Sequence, residues 1–185
     1  MLKKIIFATS LIAISAVYGQ ETRKETQNIK TKMDVFASKT GSLTKLIDTK
    51  LPPLRASFDS AETRIRKISN GNISGYFYQI SKTGKYNTTT ASIEYTDLVE
   101  VLKALKVLQT EVNSDISLNP DYLENKFVTV DGFQIGYYVD KGNVHWYISL
   151  EKYGSDNSLF IDKYETIETA FSEAKTKIDS LKAIK

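Results

Sequence analysis

QIGYYVDKGNVHWYISLEKYG, residues 134–154, reads as two strands joined by a tight turn. Apolar and polar residues alternate on both sides of Asp140-Lys141-Gly142-Asn143, and a short glycine-bearing turn between alternating runs marks a β-hairpin. Strand alternation puts Val144, Trp146, Ile148 and Leu150 on one face and His145, Tyr147 and Ser149 on the other. The first set is expected to be core. The same stretch lies over RIRKISNGNISGYFYQISKTG, residues 64–84, with one single-residue adjustment. Ile65 then meets Ile135, Gly71-Asn72 meets Gly142-Asn143, Tyr76 meets Trp146, and Ile80 meets Leu150.

A helical pattern follows each copy. Leu98, Leu102, Leu105, Leu108 and Val112 form one apolar stripe, with Thr96 as the expected N-cap. Ile167, Ala170, Phe171, Ala174, Ile178 and Leu181 form the other. The second copy continues upstream through KFVTV and the turn Asp131-Gly132, and downstream through the turn GSDN and SLFI. In the first copy, VFAS and LTKLIDTKL are expected to form a hairpin around Lys39-Thr40-Gly41, and Pro52-Pro53 to end the element before it. The fold class is therefore α+β: two tandem repeats, each an antiparallel sheet of about four strands closed by one amphipathic helix. The repeats are placed at 33–116 and 123–185, after an N-terminal lead at 20–32.

Residues 1–19 have the order of a secretory signal peptide. MLKK is a basic start, Ile5–Val17 an apolar run, and Gly19 a small residue at the cleavage point. The run is shorter than the roughly 20 apolar residues of a membrane span. A secreted or periplasmic chain beginning at Gln20 is expected, without lipidation, because there is no cysteine. The same absence rules out disulfides and thiolate metal sites, so stability must come from an apolar core. Removing Lys3 and Lys4 from the 25 basic residues leaves 23 against 22 acidic ones, a net charge of +1. No basic footprint for nucleic acid or anionic membrane remains.

SKTGSLTK, residues 38–45, sets KTG beside S-x-x-K (Ser42 to Lys45), both elements of penicillin-recognising serine enzymes. In those enzymes the serine opens a helix and KTG lies far downstream on a strand. Here the order is reversed and the motifs touch. SKTG recurs at 81–84 and a relative, EKYG, at 151–154, so the motif is read as a turn.

His145 is the only histidine, which leaves a triad or a zinc site without its usual partners. Neither a D-x-D-x-D calcium loop nor a phosphate-cradling glycine loop opening a helix occurs. No cofactor or metal is expected. The 11 tyrosines and 8 phenylalanines gather in the paired strands, where such side chains can stack on sugars, bases or peptide side chains. Tyr138, His145 and Tyr147 share the face opposite Trp146, and Phe77 holds the matching place in the first copy. These four are the candidate ligand-contacting residues.

Strands followed by a helix, in tandem, resemble the PUR and Whirly families of single-stranded nucleic-acid binders. The resemblance is carried by residues 134–154 with their following helix, and more faintly by Arg64 to Val112. It implies a curved sheet gripping a strand through basic and aromatic side chains, with Arg64, Arg66, Lys67, Phe77 and Tyr78 in those parts. Taken with the neutral charge and the export signal, the sequence points first to an exported, non-enzymatic binding protein whose partner is a protein, a peptide or a glycan. A single-stranded nucleic-acid binder is the alternative, and a hydrolase with a site near His145 the third reading.

Overall fold

The computed structural model describes residues 30–38, 40–154 and 156–184; the leader read from residues 1–19 lies outside them. Among the described residues, eight strands form two antiparallel four-stranded sheets. The first sheet runs in chain order through β1 (Thr44–Arg55), β2 (Ser60–Asn70), β3 (Ile73–Thr83) and β4 (Thr88–Glu94). The second runs likewise through β5 (Tyr122–Val128), β6 (Gln134–Asp140), β7 (Asn143–Ser149) and β8 (Ser158–Ile161). A short helix, α1 (Lys32–Ala37), precedes the first sheet; α2 (Tyr95–Ser117) follows it and α3 (Tyr164–Ala183) follows the second. A mixed α+β fold is thus what forms.

The hairpins sit where the turns announced them. Lys141 and Gly142 take φ of 49° and 79°, the left-handed pair that a two-residue hairpin turn demands, and Asp140 pairs with Asn143 across it. At Asp131-Gly132, the amide of Gly132 donates to the carbonyl of Thr129 at 3.0 Å. Two elements come out differently. VFAS lies in α1 and its C-cap rather than in a strand, because Thr31 and Asp34 close a reciprocal capping box that starts a helix there. Thr40 and Gly41 therefore join a helix to a strand, and β1 pairs with β2 instead. Pro52-Pro53 does not end β1. The strand shifts register between Leu51 and Leu54 and continues, which an edge strand tolerates because its outer amides need no partner. The hydroxyl of Thr63 donates to the Pro52 carbonyl at 2.7 Å across the irregularity. At the start of α2 the N-cap is Glu94, two residues earlier than the expected Thr96.

The core is continuous through both sheets and both long helices. Leu98, Leu105 and Leu108 of α2 and Ile167, Phe171, Ala174 and Ile178 of α3 are buried, as their helical spacing requires. Each helix is shared between the sheets. Phe171 packs edge-on against Tyr78 of the first sheet, with ring centroids 5.2 Å apart. The hydroxyl of Tyr95, at the start of α2, donates to Asp179 of α3 at 2.6 Å. In the other direction, Asp115 of α2 accepts from the hydroxyl of Tyr137 on β6 at 2.6 Å. Trp146 faces this core at 6% exposure, between the rings of Tyr137 (4.9 Å) and Tyr164 (5.3 Å).

Candidate functional site

The face of the second sheet turned away from the core is set by the parity of its strands. Tyr122, Glu124, Lys126 and Val128 of β5 share it with Tyr138 of β6, His145 and Tyr147 of β7, and Phe160 of β8. Register brings the aromatic members together. Tyr138 pairs with His145 directly, and Tyr147 with Phe160. The rings of Tyr138 and His145 lie 4.7 Å apart at an interplanar angle of 18°. Tyr122 stacks on Tyr138 from the opposite strand at 5.9 Å and 27°, and Phe160 approaches Tyr138 edge-on at 6.4 Å. Because β5 and β7 flank β6, Tyr138 is held between two rings, and it presents an edge. The freely offered aromatic surface belongs to the ends of the row, Tyr122 and His145, and to Phe160, all exposed.

Below this row sits a polar clasp. The Tyr147 hydroxyl donates to Oε1 of Glu124 at 2.6 Å, although β6 lies between their strands. The ring must therefore cross β6, and it crosses where Gly136 pairs with both Lys126 and Tyr147. Gly136 has no room for a side chain: a Cβ there would overlap the Asn125 carbonyl oxygen and lie 2.7 Å from Cβ of Lys126. The glycine thus lets β5 close in. Lys126 also donates to Glu124, at 3.0 Å. Burial and then the bond to Glu124 push the Tyr147 hydroxyl well above the ordinary tyrosine range. Burial works against ionised Glu124, but the bonds from Tyr147 and Lys126 outweigh it and hold the carboxyl below its usual value. The clasp stays a carboxylate with a neutral phenol, and Lys126 offsets the charge.

The four residues named from the sequence separate into two kinds. His145 is exposed and Tyr138 half-buried on the open face, whereas Tyr147 is buried on the same face with its hydroxyl engaged. Phe77 has the matching parity in the first sheet but is 1% exposed, with the Phe36 ring of α1 edge-on to it at 6.4 Å. Tyr122 and Phe160 were missed. Extending the parity argument from β6 and β7 to YLENKFV and SLFI would have found both.

No catalytic grouping assembles around these side chains among the described residues. Among the described residues, His145 makes its ring contact with Tyr138 and no hydrogen bond or ion pair to a carboxylate or hydroxyl. No group of three His, Cys, Asp or Glu side chains there is placed to hold a metal ion. Ser42 and Lys45 lie on a bend and a strand, not on the helix that a serine–lysine pair uses; Lys39 lies outside the described residues. A cleft of 570 Å³ opens elsewhere, between α3 and β1, lined by Leu51, Ser172, Thr176 and Ser180 among others.

No family model, curated protein or solved structure matches this chain at a significant level. No helix of the described residues is long and apolar enough to cross a membrane.

Proposed function

We propose that the protein is an exported binding protein without a catalytic step, and that it takes a carbohydrate on the outer face of its second sheet. The observation that carries this reading is the row Tyr122–Tyr138–His145 with Phe160 beside it, an aromatic surface left open to solvent on a regular sheet. Sugars offer apolar C–H faces and a rim of hydroxyls. Exposed rings at the ends of the row suit the first, and Glu124, Lys126, Asp140 and Asn143 around it suit the second. The charged side chains of this face are Glu124, Lys126 and Asp140, so it lacks the basic excess by which a phosphate backbone is gripped.

A duplicated unit of four strands and a helix fits the shared strand order of the two sheets and supports the PUR- or Whirly-like topology as a second reading. Arg64 and Arg66 on the outer face of the first sheet favour it. Against it, Arg66 is already spent in a two-pronged bond to Asp48, at 2.7 Å on each arm. A glycan array run beside peptide and single-stranded oligonucleotide panels tests the proposal. Binding to a glycan, lost in Tyr122→Ala and Phe160→Ala, supports it. Selective, salt-sensitive capture of oligonucleotides instead would replace it with the second reading.

A further inference from the structure

The two sheets expose their outer faces unequally, and one short helix makes the difference. The second sheet's outer face is open. On the first, α1 lies across the corresponding strands: Phe36 covers Phe77, and the sulfur of Met33 accepts a hydrogen bond from the Gln79 amide at 3.4 Å. We propose that α1 is a displaceable cover over a second binding face built on Phe77 and Gln79, which opens by local detachment of α1 from the folded protein. The proposal rests on the reading of outer sheet faces as binding surfaces.

The cover is weakly held for what it hides. None of the six residues of α1 is buried, while Phe77 and Gln79 beneath it are each 1% exposed. A helix of this length has no stability of its own in water. Among the described residues, its polar attachment to the second sheet's half of the chain runs through Lys32, whose amide donates to Asp131 Oδ2 at 3.0 Å. The Lys32 ammonium reaches Asp97 at 2.6 Å and Glu94 at 3.5 Å, and its side chain remains about one-third exposed. The seat for Phe36 is made by an absent side chain. A Cβ at Gly75 would stand 3.3 Å from the Phe36 ring and 3.0 Å from the Phe77 ring. Even in place, the cover leaves a gap of 330 Å³ lined by Val35, Phe36, Ser74, Gly75 and Phe77 among others. Short segments with few buried side chains are those that open far below the energy of global unfolding.

When α1 lifts, Phe77 comes into reach with polar neighbours already in place. The Gln79 amide donates to Ser92 Oγ at 2.9 Å, and Arg64 Nε donates to Gln79 Oε1 at 2.9 Å. The uncovered surface is therefore an aromatic centre with an ordered amide–guanidinium rim. That chemistry takes the same class of polyhydroxylated ligand as the open face.

The natural absence of cysteine makes a direct test possible. Single cysteines are placed in the full mature chain at Gln79→Cys, at Phe77→Cys as a second reporter, and at Leu105→Cys in the core. Labelling by a disulfide reagent is then timed under native conditions. The expected result is labelling at the first two sites faster than at Leu105→Cys by about 100-fold or more. Adding Phe36→Ala should accelerate the first two about tenfold further and leave Leu105→Cys unchanged. Equal rates at all three sites overturn the proposal. The second arm uses 8-anilinonaphthalene-1-sulfonate as the probe. Lys32→Ala/Phe36→Ala should gain a fluorescent site with an unchanged circular dichroism spectrum, and no gain would overturn the second face. Neither arm needs the natural ligand, so failure here is separate from failure of a glycan screen.

Discussion

Exchanging Trp146 and His145 for alanine, one at a time, tests the strand register on which the open face depends. Adjacent strand residues point to opposite faces, so a one-residue slip would reverse their roles. Trp146 is 6% exposed and touches the rings of Tyr137 and Tyr164, so Trp146→Ala removes a large side chain from a packed interior. The expected loss is about 3–5 kcal/mol, part of it from the aromatic contacts. With a urea dependence of about 2 kcal/mol/M, a loss of about 4 kcal/mol lowers the unfolding midpoint by about 2 M. His145 is exposed and rests on one face of Tyr138, so His145→Ala should cost less than about 1 kcal/mol, or about 0.5 M. Trp146 is the only tryptophan, so its loss removes the usual fluorescence signal, and both variants should be followed by far-ultraviolet circular dichroism. If His145→Ala proves the more damaging, β7 is one residue out of register and the proposed ligand face is the core.

Tyr122→Ala and Phe160→Ala should weaken glycan binding while lowering the urea midpoint by no more than about 0.25 M, as exposed positions do; a large stability loss would show that the rings are structural. Gly136→Ala should destabilise by about 1–3 kcal/mol or more, measured by the same melts, because its Cβ meets backbone that cannot swing aside. Wild-type stability there would refute the close approach of β5. In a spectrophotometric alkaline titration, Tyr78, Tyr137 and Tyr147 should ionise only as the protein unfolds, since burial, first of all, raises each of them. A raised folded value means that their contribution is full below the ordinary tyrosine range and is lost as pH climbs through the folded one. Asp48 has the opposite sign. Its bonds from Arg66 hold its folded value below the usual carboxylate range, so Asp48→Asn should lower the melting temperature at neutral pH, and the difference from wild type should shrink as pH falls through that lowered folded value.

Local chemistry made much of the architecture readable before any coordinates. Asp131-Gly132 and Lys141-Gly142 announced hairpins because few other residues accept the backbone angles involved. The stripes ending in Val112 and Leu181 announced helices because a core-facing helix must repeat its apolar residues at that interval. Where the reading failed, two local signals competed. VFAS has the β-branched and aromatic look of a strand, yet Thr31-x-x-Asp34 just upstream is a helix-start signature and it prevailed. Tyr122 was lost among the charged residues of YLENK, whose outward alternation is visible only once the strand is extended to its first residue. Phe77 shows a harder limit. Its parity was legible, but what lies above a sheet face depends on a segment far away in sequence. The sharing of helices between sheets is nonlocal in the same way, since either helix stripe fits any apolar sheet face.

That sharing governs the order in which the chain can mature. Tyr78 of the first sheet waits for Phe171, which lies on α3, nearly 100 residues further along the chain. A polypeptide made amino-terminus first would hold a completed first sheet with Tyr78 and the neighbouring inner surface uncovered until α3 followed. Such an intermediate is sticky, and a chain cut short before Tyr164 would remain so permanently. Severing the connection between Ser117 and Tyr122 leaves two fragments, each holding the missing helix of the other. They should be insoluble apart and reassemble when mixed, and a ribosome that stalls ahead of α3 leaves behind a template for aggregation rather than half a protein.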